Sequence, residues 1–208
     1  MAAKLTLTTF LTLDGVMQAP GAPEEDTRDG FAYGGWQVPF VDEDMGRFMS
    51  EVFDRSAAFL LGRRTYDIFA AYWPGVTDPD DPIAGPLNTR PKYVVSTTLG
   101  KPGWHDTTVV TTDVPAEIAR IKERTEGGEL QIHGSGDLAR SLMEHDLIDE
   151  YTLLVHPVVL GRGRRLLPDG GLPTAFELTA SRTTARGISI QTYRPAGPAR
   201  FGSVALDA

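Results

Sequence analysis

Three short stretches of this chain combine residue types that could hold a charged ligand. Gly62-Arg63-Arg64-Thr65 offers two guanidiniums and a hydroxyl directly after the apolar run Ala57 to Leu61. A guanidinium fork matches phosphate oxygens bidentately, so this stretch suits phosphate binding. Ser96-Thr97-Thr98 adds three small hydroxyl donors after the run Lys92 to Val95. His133-Gly134-Ser135-Gly136-Asp137 is a glycine-rich turn between Leu130-Gln131-Ile132 and a helical stretch starting at Leu138. Glycines there let a pyrophosphate approach backbone N–H groups at a helix start. None of the three is specific alone. A Gly-x-Gly without its third glycine is more often only a tight turn, and Arg63 and Arg64 could equally pair with surface acids. Their recurrence at successive strand ends, where open α/β sheets bind ligands, carries the reading.

Other chemistries are excluded by what the chain lacks. It has no cysteine, so thiolate nucleophiles, disulfides and sulfur-ligated metals are ruled out. The histidines His105, His133, His145 and His156 include no His-x-x-x-His pair, and no metal site is expected. Lys and Arg total 20 against 28 Asp and Glu, a formal net charge of −8. Nucleic acids and anionic membranes need a basic face, so neither is expected as a partner, although one local basic cleft is compatible with this charge. With 208 residues, 41% hydrophobic and 23% charged, the composition suits a folded protein and not a fibrous or disordered chain. Met1-Ala2-Ala3-Lys4 leads straight into a threonine-interrupted strand pattern, and no run of ~18 apolar residues occurs. A cytoplasmic protein is the expectation.

The elements that must position these stretches follow from periodicity. Leu5, Leu7, Thr9, Leu11 and Leu13 alternate as a strand closed by Asp14-Gly15. Gln18 to Trp36 is rich in Gly, Pro and acids, yet holds Phe31, Tyr33 and Trp36, and reads as a loosely ordered cover over a site. Met45, Phe48, Met49, Val52 and Phe53 have helical spacing, and Asp42, Glu43 and Asp44 fill the first turn, where acids complement the helix dipole. A second helix is expected over Tyr66 to Ala71, a Pro/Asp/Gly loop over Gly75 to Thr89, and strands over Lys92 to Val95, Thr108 to Thr111, Leu130 to Ile132 and Glu150 to Val159. Helices follow Asp113-Val114-Pro115 and span Leu138 to Glu144; Phe176 to Tyr193 reads as two strands around Arg186-Gly187. Strand–helix alternation followed by strand–strand predicts an α/β protein: a mostly parallel central sheet flanked by helices, with an antiparallel C-terminal hairpin. The predicted domain is 1–195, with 196–208 as a tail or an arm on a neighbouring subunit.

The order of these motifs resembles the dihydrofolate reductase fold. It is carried by the first strand ending in Leu13-Asp14-Gly15, Trp36 and Pro39 before an acid-led helix, Gly62-Arg63-Arg64-Thr65-Tyr66, Ser96-Thr97 and the turn at 134–136. The chain is more similar still to the C-terminal reductase domain of the bifunctional riboflavin-biosynthesis deaminase-reductase and its stand-alone relatives. The Leu13-Asp14-Gly15 turn, Ile132-His133-Gly134-Ser135-Gly136-Asp137-Leu138 and Pro157-Val158-Val159-Leu160-Gly161-Arg162-Gly163 carry that likeness, over roughly Leu5 to Tyr193. The resemblance implies NADPH as hydride donor, held by Gly62, Arg63, Arg64 and Thr65, by Ser96, Thr97 and Thr98, and by Gly134 to Leu138, with Trp36 at the nicotinamide. Two arginines beside a nucleotide favour the extra phosphate of NADPH over NADH. It further implies Asp14, Phe48 and Tyr66 as substrate contacts and Asp44, His133 or an ordered water as the source of the proton. Asp44 with Asp42 and Glu43 also reads as a plain charged helix start. The implied activity is reduction of a small nitrogen heterocycle, as by 5-amino-6-(5-phosphoribosylamino)uracil reductase of riboflavin biosynthesis. The alternatives are a pterin reductase of the dihydrofolate reductase type and a non-catalytic nucleotide-binding protein. Relatives with this hairpin are typically dimers, so a homodimer is expected.

Overall fold

Leucines alternating with threonines form β1 (Leu5–Thr12), which lies inside an eight-stranded sheet. The computed structural model describes residues 2–78 and 80–204. After β1 come α1 (Glu43–Asp54), β2 (Ser56–Gly62), α2 (Arg63–Tyr72), α3 (Ala84–Thr89), β3 (Lys92–Val95), β4 (Thr107–Val110), α4 (Val114–Arg124), β5 (Glu129–His133), α5 (Gly136–Met143), β6 (Glu150–His156), β7 (Thr174–Thr183) and β8 (Ser189–Pro198). The strand order is β4-β3-β2-β5-β1-β6-β8-β7. The strands β1 to β6 are mutually parallel, and β8 is antiparallel to both β6 and β7. This is the expected α/β architecture.

Each face of the sheet is covered by helices whose apolar stripes the spacing made visible. Ile118 and Ile121 of α4 and Leu138, Ala139 and Leu142 of α5 pack with Leu5, Leu7, Leu60, Leu130 and Ile132. On the other face Met45, Phe48, Met49, Val52 and Phe53 of α1 pack with Phe59, Leu61, Tyr66 and Leu87. Burying one such side chain is worth roughly 1.5–3 kcal/mol, which is why α1 forms despite its polar outer face. Asp42 caps it, with Oδ1 accepting from the Met45 N–H at 2.9 Å. The chain leaves β1 toward β2 and β3, then returns through β5 to β6, so its direction reverses beside β5. In open α/β sheets ligands bind beside such a reversal, outside the carboxyl ends of the strands, which here are those of β1, β2 and β5.

Several boundaries differ from the sequence reading, each for a local reason. The second helix starts at Arg63 and not Tyr66, because extended Gly62 is its N-cap. Helix α3 lies in what composition reads as loop, nucleated by Asp81 Oδ1 accepting from the Ile83 and Ala84 N–H groups at 2.9 and 2.7 Å. The strand β6 stops at His156, where Pro157 lacks an N–H to continue the ladder. At the far end β8 reaches Pro198, opposite Thr174, three residues into the expected tail. No helix among the described residues is long and apolar enough to cross a membrane.

The segment 18–36 is more firmly built than expected. Val16, Ala19, Phe31 and Trp36 are buried together as a small core of their own, with Phe10, Val158 and Leu160 against them. Gly163 closes that core: its φ is +128°, and a Cβ there would sit 2.6 Å from Val16 Cγ1 and 2.8 Å from Phe31 Cε2. Gly163→Ala should therefore cost about 1–3 kcal/mol by overpacking and backbone strain. Urea unfolding measures it, and a loss below about 0.5 kcal/mol, the size of an ordinary surface change, would show that the contact yields.

Candidate nucleotide-binding site

The glycine-rich turn after β5 joins two helix N-termini. Gly134 and Ser135 both adopt left-handed backbone, φ +56° and +51°, which turns the chain sharply from β5 into α5. Ser135 holds the turn in place. Its Oγ donates to the His133 carbonyl at 3.0 Å and accepts from the Gly62 N–H at 3.0 Å, while its N–H donates to Thr65 Oγ1 at 3.1 Å. The starts of α2 and α5 are thereby tied side by side at the carboxyl ends of β2 and β5. The first N–H groups of each helix have no partner within it, and both dipoles add positive potential at the same place. Gly62 and Gly134 bring no side chain into this cradle, and the space beside Gly136 is taken by Met17.

Basic side chains rim the cradle. Arg63 pairs with Asp67 at 2.9 Å and donates to Thr98 Oγ1 at 3.3 Å, which brings the ends of β2 and β3 together as expected. Arg64 is half-exposed and makes a loose ion pair with Asp26, at 3.9 Å. Asp26 is itself engaged by Arg28 Nε at 2.8 Å. Burial works against its charge, but the Arg28 hydrogen bonds outweigh it and hold the carboxyl below the usual range. Arg140 pairs with Asp137 and reaches the Arg165 carbonyl at 3.0 Å. Ser96 is buried and turns the chain, its Oγ accepting from the Thr98 and Leu99 N–H groups at 3.2 and 3.0 Å, with Thr97 and Thr98 exposed. Leu138 has its side chain in the core, so only its backbone serves the cradle.

The substrate-side expectations fare differently. Asp44 is not enclosed by aromatics. Its carboxylate is 45% exposed, pairs with Arg47 at 3.2 Å, and accepts from the Ala185 N–H in the β7–β8 turn at 3.1 Å. Phe48 is buried, and the Arg182 guanidinium covers its ring at 4.6 Å. Tyr66 is likewise a core residue, its hydroxyl accepting from the Trp104 N–H at 3.3 Å. Asp14 anchors the loop after β6: Thr12 Oγ1 donates to it at 2.6 Å, and the Leu160 and Gly161 N–H groups at 3.2 and 2.8 Å. The Thr12 bond foremost keeps its carboxyl acidic. Trp36 lies in the small core of the cover, with Nε1 donating to the Gln18 carbonyl at 2.7 Å and its ring edge-on to His156 at 5.2 Å. That packing, and not a face offered to a nicotinamide, is what the structure shows.

His133 sits where a charged imidazolium is disfavoured. It is buried and stacks flat on Phe53, ring centroids 4.5 Å apart at 9°. Burial pushes its pKa down to about 3, so the ring is neutral. Asp44→Asn should accordingly change stability and any turnover by less than about threefold, as exposed positions do; a hundredfold loss of turnover in that variant would restore it as an acid.

Three features escaped the sequence reading. Met17 lies over the α5 N-terminus, since a Cβ on Gly136 would meet its Sδ at 2.5 Å. Arg28 and Arg140 join the rim from elements without a recognisable motif. Glu129 and Gln131 precede His133 on the same face of β5, which strand alternation alone could have shown. Among the described residues no cluster of three or more His, Asp or Glu could hold a metal ion.

Comparison with known proteins agrees with this fold. A family model described as the RibD C-terminal domain matches residues 3–190. The uncharacterized protein YyaP of Bacillus subtilis is 27% identical over 169 residues, 78% of this chain and 87% of that protein. A crystal structure from Shewanella sp. PV-4, named for riboflavin biosynthesis, superposes with a TM-score of 0.65 at 22% identity, covering 94% of this chain and 99% of that one. Dihydrofolate reductase from Enterococcus faecalis, complexed with NADP(H), superposes with a TM-score of 0.58 at 14% identity, again covering 94% and 99%. The fold is that of dihydrofolate reductase. Because the family model spans nearly the whole chain, the protein belongs to the RibD C-terminal domain family, a family of reductase domains.

Proposed function

We propose that the protein is an NADPH-dependent reductase of a small nitrogen heterocycle, of the kind that reduces 5-amino-6-(5-phosphoribosylamino)uracil in riboflavin biosynthesis. The observation that carries this reading is the pair of helix N-termini tied together by Ser135 beside Arg63 and Arg64. The residues fit the cofactor: unpaired N–H groups and Cβ-free glycines suit a pyrophosphate, and the exposed Arg64 suits a further phosphate. When bound, NADPH supplies the hydride, and the protein supplies orientation and a dry pocket. In this chain Gly134 to Asp137 and Arg63 to Thr65 bind and orient the phosphates. The cover at 18–36, with Met17 over α5, excludes water. With Asp44 on the surface and His133 neutral, the accompanying proton comes through an ordered water. A cytoplasmic homodimer belongs to the same proposal.

Arg64→Ala tests the cofactor assignment. It should weaken NADPH by about 1.5–3 kcal/mol, the loss of charge-assisted hydrogen bonds, and leave NADH almost unchanged. The shift in melting temperature at equal cofactor concentrations reads this directly. Equal stabilisation of the native protein by NADPH and NADH would defeat the assignment. Steady-state NADPH oxidation with pterins and aminopyrimidine ribotides then separates the readings: turnover of dihydrofolate would make it a pterin reductase, and tight binding without turnover a non-catalytic nucleotide-binding protein.

A further inference from the structure

A second buried histidine sits where the cover at 18–36 meets the sheet. His156 ends β6 and is fully buried. Its Nδ1 lies 3.0 Å from the Leu154 carbonyl and 3.3 Å from the Leu11 carbonyl. A carbonyl oxygen can only accept, so Nδ1 carries the imidazole proton. Nε2 is then a bare lone pair, and it is enclosed without a hydrogen-bond partner. Three rings stand at steep angles to the imidazole: Trp36 at 5.2 Å, Phe10 at 5.9 Å and Phe40 at 6.0 Å.

The charged groups on the elements packed against this ring are engaged elsewhere. After β1, Asp14 is taken by Thr12 and by the loop that follows β6. In the cover, Asp26 is held by Arg28, Asp29 by Arg164 and Glu25 by the Gly21 N–H, while Glu24 and Tyr33 are exposed. Beside Phe40, Arg186 donates to the Pro39 carbonyl, and Asp42 accepts from the Met45 and Arg186 N–H groups. Glu150, at the other end of β6, pairs with Lys4. Burial holds the imidazole below its ordinary pKa of 6.5, although the two carbonyls act the other way.

Nδ1 and Phe10 are fixed to the sheet, so water reaches Nε2 by displacement of Trp36 and Phe40. The segment carrying them is lightly tied. Trp36 Nε1 donates to the Gln18 carbonyl at 2.7 Å, the Gly35 N–H to Ala19 at 2.9 Å and the Gln37 N–H to Pro20 at 3.2 Å. Its apolar contacts are those of the small core formed with Val16, Ala19 and Phe31, and a unit of that size can open locally while the strands stay paired.

We propose that His156 is a proton-operated latch for the cover: a proton can settle on Nε2 only with Trp36 swung away, so acid releases residues 18–40 from the sheet before the domain unfolds. This concerns the cover itself and holds whichever ligand lies beneath it. A histidine that only filled space would leave opening of the cover independent of pH. With the cover open, His156 takes a proton near 6.5; with it closed, only at lower pH. The open form binds more protons in that window. The stability of the closed cover is therefore complete above 6.5, and the open fraction rises about tenfold for each unit below it.

Hydrogen exchange followed by NMR on the full-length protein tests this at the Trp36 indole N–H and the Gly35 amide. The Leu130 amide of β5, bonded to the Lys4 carbonyl, serves as the reference for the sheet. Measured against the intrinsic rate, protection of the two cover sites should fall about tenfold from pH 6 to pH 5 and stay below that of Leu130. His156→Asn keeps an N–H for the two carbonyls but cannot take a proton. It should flatten the pH dependence in the cover, while Leu130 keeps its own because His133 still titrates. Imidazole nitrogen NMR of the native protein needs no variant and should show His156 as the Nδ1–H tautomer at neutral pH. Cover protection that is flat with pH, a slope that survives in His156→Asn, cover sites that open only together with Leu130, or an Nε2–H tautomer would each overturn the proposal.

Discussion

Gly134→Val should weaken NADPH by about 100-fold, the equivalent of two charge-assisted hydrogen bonds at ~1.5 kcal/mol each. Gly134 has a φ of +56°, and its Cβ position is 3.4 Å from Thr65 Oγ1. Valine pays about 1–2 kcal/mol simply to adopt left-handed backbone. Its branched methyls would also displace Thr65, whose hydroxyl accepts the Ser135 N–H and so ties α2 to α5. Separating those helices scatters the N–H groups that face the phosphates. Calorimetric titration alongside denaturant unfolding distinguishes the two losses: the fold should weaken by a few kcal/mol and survive, while cofactor binding all but disappears. Wild-type affinity in the valine variant would mean that the phosphates lie elsewhere.

Acid should destabilise the protein well above the range in which carboxylates titrate. In the unfolded chain His133 takes a proton near 6.5, whereas burial prevents this in the native state until about 3. The unfolded state binds more protons throughout that window. The stability His133 contributes is therefore complete above 6.5 and is lost at about 1.4 kcal/mol per unit as pH falls toward 3. Burial of His156 acts in the same direction. Two units below 6.5 the protein should have lost roughly 2–3 kcal/mol, a large share of an ordinary domain's stability. His133→Phe keeps the stack on Phe53 but strands Gln131 Oε1, at a cost of about 1–3 kcal/mol near neutrality. Its stability should nonetheless fall less steeply with acid. Parallel pH profiles for the two proteins would mean that His133 does not resist protonation.

The cradle was legible in the sequence because its parts are punctuation. Gly62, Thr65, Gly134 and Gly136 mark where strands end and helices begin, and such residues act locally. The stripe of α1 was legible for the same reason, since five apolar side chains at helical spacing leave one face to bury. What covers the first turn of that helix was not. Asp44 sits at the edge of the stripe, but the Ala185 N–H that claims it comes from a turn 141 residues later, and a helical wheel carries no information about such a partner. Trp36 failed similarly, because the loop containing Gly163 completes its packing from far along the chain. Helix α3 was hidden by composition: prolines and aspartates read as loop unless one aspartate caps the turn, as Asp81 does. Gln131 and Glu129 were legible in principle, since alternation places both on the face of His133.

Mapping backbone amide resonances during an NADPH titration tests the central claim most directly. Saturable shifts should concentrate at residues 62–65, 96–98 and 134–138, with Met17 and the rest of the cover responding as the cofactor enters, and NADH should produce the same pattern only at higher concentration. Shifts that cluster on another face of the sheet, or no saturable shifts with either cofactor, would contradict the account.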